Sequence, residues 1–135
     1  MNGTALLALV DDGGADVHGL DPAAVIEILS STAQAGPNQA WALFADPVDY
    51  AEARRLTVGL SEDGQHGWLS WWDGYRRWEP ISVQPTGRWV DYWNADQHLQ
   101  VDEGQHMAAA TIVAVVREYL QTLDRPASLE WRPTA

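Results

Sequence analysis

Between Ala109 and Leu123 the apolar residues Ala109, Ile112, Val113, Val116, Tyr119, Leu120 and Leu123 recur at three- and four-residue spacing, the repeat of one helix face. A stripe this continuous must be covered, so the chain has to build a second layer for the helix to lie on. The remaining apolar segments read mostly as strands. Leu56, Val58 and Leu60 alternate with Thr57, Gly59 and Ser61, the period of a half-buried strand. Residues 4–10, Trp41 to Phe44, Trp68 to Trp72 and Trp89 to Trp93 are short apolar or aromatic runs of strand length. Asp73 and Gly74 predict a tight hairpin turn into the segment holding Tyr75 and Trp78, and Pro85, Thr86 and Gly87 a further turn.

A second helix is expected after Asp21, a capping residue, and Pro22, which suits the first helical position. It carries Val25, Ile28 and Leu29 on one face and should end before Gly36 and Pro37. Asp102 and Glu103 complement the positive end of the C-terminal helix, and Arg125 with Pro126 marks its exit. Ser128 to Trp131 then predicts a closing strand, with Leu129 and Trp131 on one side. The expected fold is α+β, an antiparallel meander sheet packed against a long C-terminal helix and a shorter N-terminal helix. One domain over residues 1–135 suits the length.

The chain has 19 acidic and 8 basic residues, a formal net charge of -11. Such a charge repels a phosphate backbone, so direct nucleic-acid binding is not expected, while a basic partner would be attracted. The absence of cysteine removes thiolate chemistry and disulfides and fits a reducing compartment. The apolar run from Ala5 to Val10 is too short for a signal sequence or a membrane span. A cytoplasmic protein with no membrane association is expected.

No catalytic constellation emerges. His18, His66, His98 and His106 lack paired-ligand spacing, and a chain without Lys has no Walker sequence. The segment from Gly59 to Gly64 is misspaced for a serine nucleophile elbow. The carboxylates are too abundant for sequence to single out a hydrolytic pair. The expectation is a binding protein, not an enzyme, with no metal and no cofactor.

Of the eight Trp residues, six (Trp68, Trp71, Trp72, Trp78, Trp89 and Trp93) lie in the proposed meander. Alternation puts Trp68 and Trp72 on one face and Trp71 on the other, so one indole at least must meet something besides the main core. Trp89 and Trp93 share a face with Asp91. A surface mixing Trp, Tyr, Arg and acids has the composition of protein-interface hot spots, and Trp72 to Glu79, WDGYRRWE, is the best local candidate.

The segment VDEGQHMAAATIVAVVREYLQTLDRPASLEWRP, from Val101 to Pro133, resembles the closing helix and strand of the Imm1 family of bacterial immunity proteins. The features that carry the resemblance are Ala108 to Ala110, Tyr119 and Leu120, Arg125 with Pro126, and Leu129 with Trp131. Upstream, the acidic loop, the strand at Trp68 to Trp72 and the hairpin after it follow the order of the family's central sheet. WEPIS stands where many members carry a Ser-x-Gly segment. The resemblance implies a cytosolic antidote that binds and occludes a cognate polymorphic toxin domain, with deaminases and nucleases among the toxins. Toxins acting on nucleic acid present basic clefts, which an acidic protein can plug. On that reading Asp73, Tyr75, Trp78, Glu79, Asp91, Trp93 and Asp96 are the expected toxin-binding residues. The alternative is a Trp-rich module whose sheet face stacks on a sugar or another small molecule.

Overall fold

In the computed structural model the described residues are 6–10, 16–33, 38–46, 54–82, 84–94 and 97–134. The strands are β1 (Leu6–Val10), β2 (Asp16–Leu20), β3 (Gln39–Asp46), β4 (Arg55–Leu60), β5 (His66–Trp72), β6 (Arg77–Pro80), β7 (Trp89–Asn94), β8 (Gln97–Asp102), β9 (Met107–Ala108) and β10 (Trp131–Pro133). Two α-helices accompany them, α1 (Pro22–Ala33) and α2 (Ala109–Thr122), of 12 and 14 residues. The architecture is therefore α+β, a curled mixed sheet with two helices. Its strands run in the order β10-β6-β5-β4-β3-β1-β2 with antiparallel neighbours.

The register explains how the indoles divide. Leu43, Leu56, Trp71 and Trp78 form one cross-strand row, and Trp41, Val58 and Leu69 the next row on that face. Both helices cover it, presenting Ile112, Val116, Tyr119 and Leu120 from α2 and Val25 and Leu29 from α1. Buried Tyr119 stands edge-on to Trp71 at 6.0 Å between ring centroids, and its hydroxyl donates to the Leu43 carbonyl at 3.3 Å. The α2 stripe is thus largely as its spacing predicts, with Val115 also buried and Val113 half-buried.

On the opposite face lies a second, smaller core of Ala40, Trp68, Tyr92 and Val101. Trp68 is 5% exposed and meets the Tyr92 ring edge-on at 5.6 Å. This arrangement needs Gly59, directly opposite Trp68 in the ladder, because an added Cβ there would sit 2.0 Å from the indole Nε1. Trp68 is thus an indole that meets something besides the main core, as alternation requires of at least one, and its cover is the β7–β8 hairpin.

That hairpin changes the expected meander, which runs only from β3 to β6. β7 does not pair with β6. It joins the sheet through one parallel bridge, Gln39 to Trp93, and pairs with β8 along its length. The turn at Asp73 is also wider than the Asp-Gly dipeptide suggests, since Trp72 pairs with Arg77 and residues 73–76 form the loop. Gly74 holds a φ of 96°, and the Asp73 carboxylate, accepting from the amides of Tyr75 and Arg76, stabilises the extra two residues. The closing strand begins at Trp131, later than expected, although Leu129 and Trp131 do both pack on the helix-side core.

Asp102 is the clearest correction. It ends β8, a strand absent from the sequence reading, rather than standing at the positive end of α2, which starts only at Ala109 and has that residue's amide donating to the Gln65 carbonyl at 3.0 Å. The Asp102 carboxylate accepts from the Thr86, Gly87 and Gly104 amides and the Thr86 hydroxyl at 2.7–2.9 Å. Those donors, led by the amides of Thr86 and Gly104, hold its pKa at about 2, below the ordinary 3.8. A depressed folded-state pKa contributes stability that is present above 3.8 and lost as the pH falls toward about 2. Asp102→Asn is therefore expected to lower the melting temperature at neutral pH and to flatten its pH dependence below 3.8, followed by circular dichroism. A variant with the parent's acid profile would remove this carboxylate from the linkage.

Candidate functional site

Strand alternation on β7 turns Val90 and Tyr92 toward the second core and leaves Trp89, Asp91 and Trp93 on the outer face. Trp89 is 64% exposed and Trp93 38%. Trp93 lies opposite His98 on β8 and stacks on it at 4.7 Å between ring centroids. The Asp91 carboxylate meets His98 Nε2 at 2.8 Å and accepts from Gln100 Nε2 at 3.3 Å. Hydrogen bonds from His98 and then Gln100 keep its pKa below the usual carboxylate value, so the acid stays ionised on this surface. From the other side, Asn38 donates to the Asp91 carbonyl and accepts from the Trp93 amide, both at 3.0 Å. Aromatic rings and a fixed negative charge are thus held in place without being buried.

The expected toxin-binding residues divide between two hairpins. Asp91 and Trp93 belong to the outer face of β7, while Asp73, Tyr75, Trp78 and Glu79 belong to the β5–β6 hairpin. Asp96 lies outside the described residues. Of those four, only Tyr75 is exposed, at 81%. Asp73 is engaged within its own turn and also accepts from Trp78 Nε1 at 2.8 Å. Trp78 packs against the helix-side core with the Arg125 guanidinium 4.9 Å above its ring. Glu79 accepts from Arg132 Nε at 3.3 Å and Gln105 Nε2 at 3.5 Å. Charge reversal at Asp73 or Glu79 would therefore disturb the hairpin itself, which leaves Asp91 as the better probe of steering.

No family model matches this chain, and no curated protein does. The surface has to be read from its own chemistry. The two hairpins border a groove of about 230 Å³ on the face away from the helices, lined by Arg55, Arg77, Trp68 and Ser70 from the sheet and by Asn94 and Leu99 from the hairpin. Beside the second core, the pairing of β5 with β9 brings together His66 and His106, which are 40 positions apart in sequence, with ring centroids 6.0 Å apart. His106 Nε2 meets the Tyr92 hydroxyl at 2.8 Å, and burial, followed by the nearby His66, lowers its pKa. Its neutral form is favoured, which suits a polar plug at the edge of the Trp68–Tyr92 contact. Among the described residues no group of three or more His, Asp or Glu is placed to hold a metal ion, and no helix is long and apolar enough to cross a membrane.

The shared face of Trp89, Asp91 and Trp93 is as the sequence predicts, whereas the part His98 plays there and the Arg55–Arg77 groove were not singled out. The first carries a faint signal, the alternation of His98 and Gln100 with Leu99 and Val101. The second depends on the register of three strands.

Proposed function

We propose that this chain is an immunity-type protein that binds a cognate bacterial toxin domain and occludes it in the cytoplasm. The toxin class we favour is a deaminase or nuclease with a basic nucleic-acid-binding cleft. The observation that carries the reading is the outer face of β7, where Trp89 and Trp93 remain exposed around an ionised Asp91. Large, rigid indoles on a scaffolded strand bury much area at little entropic cost and are the commonest binding hot spots. A net charge of -11 accelerates encounter with a basic cleft. The resemblance of residues 101–133 to the closing segment of immunity proteins supports the same reading.

Co-expression with the C-terminal domain of a toxin encoded beside this chain, followed by co-purification, tests it. Rescue accompanied by a stable complex is expected. Continued toxicity, or rescue with no complex, would overturn occlusion. Within such a complex Trp93→Ala is expected to weaken binding by about 2 kcal/mol, roughly thirtyfold, while leaving the melting temperature nearly unchanged. Asp91→Asn should mainly slow association at low salt. Isothermal titration and stopped-flow fluorescence read these two effects separately.

A further inference from the structure

We infer that the face of the sheet away from the helices carries an oxyanion-binding site built on the row Arg55, Trp72 and Arg77, a site independent of the partner proposed above. These residues lie directly opposite one another on β4, β5 and β6, so strand geometry puts their side chains on one face, with the two arginine Cα atoms about 10 Å apart across the indole. Arg55 rests its guanidinium over the Trp72 ring at 5.4 Å. The groove that both arginines line continues over Thr57 and Ser70, the adjoining cross-strand pair.

The arrangement is electrostatically incomplete. Among the described residues, neither guanidinium has a carboxylate within ion-pair distance, although the chain carries 11 more acids than bases. Glu79, which follows Arg77 by two positions on the same face, is held by Arg132 and Gln105 instead. Burial lowers the pKa of Arg55, and the like charge of Arg77 lowers it further, so the pair gains from a bound anion. Arginine presents a planar fork matched to carboxylate and phosphate oxygens. Two forks over about 230 Å³ of space, with two hydroxyls behind them, suit one oxyanion, a carboxylate or a phosphate monoester. Trp72 lies outside the groove lining and serves to seat the Arg55 guanidinium on its ring.

The test uses the full chain and two probes, inorganic phosphate and acetyl-glutamate methylamide, each against sodium chloride at matched ionic strength. Melting temperature and the NMR signals of the arginine Nε–H groups are followed. Saturable stabilisation is expected, together with movement of the Arg55 and Arg77 signals. Arg77→Gln should abolish both while leaving the midpoint in chloride unchanged or higher, since one of the two repelling charges is gone. Arg77→Lys, which keeps the charge and loses the fork, should weaken the response. Arg88→Gln, at an exposed residue paired with Glu103 at 3.6 Å, should preserve it. Tighter binding of phosphate would identify a phosphate ester as the natural occupant, and tighter binding of the glutamate mimic an acidic protein side chain. Responses no larger than those in chloride, or responses that survive in Arg77→Gln, would overturn the site. Either result leaves the toxin-binding proposal standing, because that one is read from β7.

Discussion

Trp71→Ala is expected to destabilise the protein by about 3–5 kcal/mol, the range for truncating a large buried aromatic. Trp71 is 2% exposed and lies at the centre of the row Leu43, Leu56, Trp71 and Trp78, directly beneath Tyr119 of α2. Truncation removes the surface on which α2 rests. The cavity is hard to close because its neighbours are fixed by ladder pairing on both sides and by the Tyr119–Leu43 hydrogen bond. Against a total stability of about 5–15 kcal/mol, this is a large fraction, visible as a fall in melting temperature of roughly 12–20 °C. Trp89→Ala is the matched control: at 64% exposure it should change stability by less than about 0.5 kcal/mol. Similar losses for the two variants would contradict the assignment of one indole to the core and the other to the surface.

Gly59→Ala should cost about 3 kcal/mol, at the upper end for overpacking. The new methyl would lie 2.0, 2.4 and 2.6 Å from Nε1, Cε2 and Cδ1 of Trp68. No small rotation relieves all three contacts, because the indole is also packed in a T-shaped contact with Tyr92. The indole must leave, which removes the largest member of the second core and loosens the β7–β8 hairpin above it. Trp68→Leu in the same chain should recover part of the loss, so the two changes will be strongly non-additive in urea denaturation. Full stability in Gly59→Ala would mean that the indole does not lie across this glycine.

The sequence was informative wherever a segment's partners are repeated along it. The α2 stripe reads directly as a buried face because each member implies the next. The opposite facing of Trp68 and Trp71 follows from alternation alone. Reading failed where partners are distant. Asp102 beside Glu103 resembles the acidic entry of a helix, yet three of its four donors come from Thr86 and Gly87, 16 and 15 positions away, and no local pattern announces them. Composition likewise cannot separate the carboxylates of Asp73 and Glu79, committed to their own hairpin, from that of Asp91, presented outward. The Arg55–Trp72–Arg77 row combines two loop-separated pairings, so it is invisible until β4, β5 and β6 are placed side by side.

The division of the protein into two cores has a consequence for how the β7 face meets a partner. The helix-side core joins both helices to the central strands, whereas the β7–β8 hairpin is held by the smaller core around Trp68 and Tyr92, one parallel bridge, the two Asn38 hydrogen bonds and the Tyr92–His106 contact. Local opening costs least where few buried contacts are lost. Opening of the hairpin is therefore expected to cost less than opening of the helix-side core, which amide hydrogen exchange would read as weaker protection in β7 and β8. A ligand gripping Trp89 and Trp93 would work against that opening, so part of its binding free energy would be spent in closing the clasp, and the clasp would be tightest when occupied.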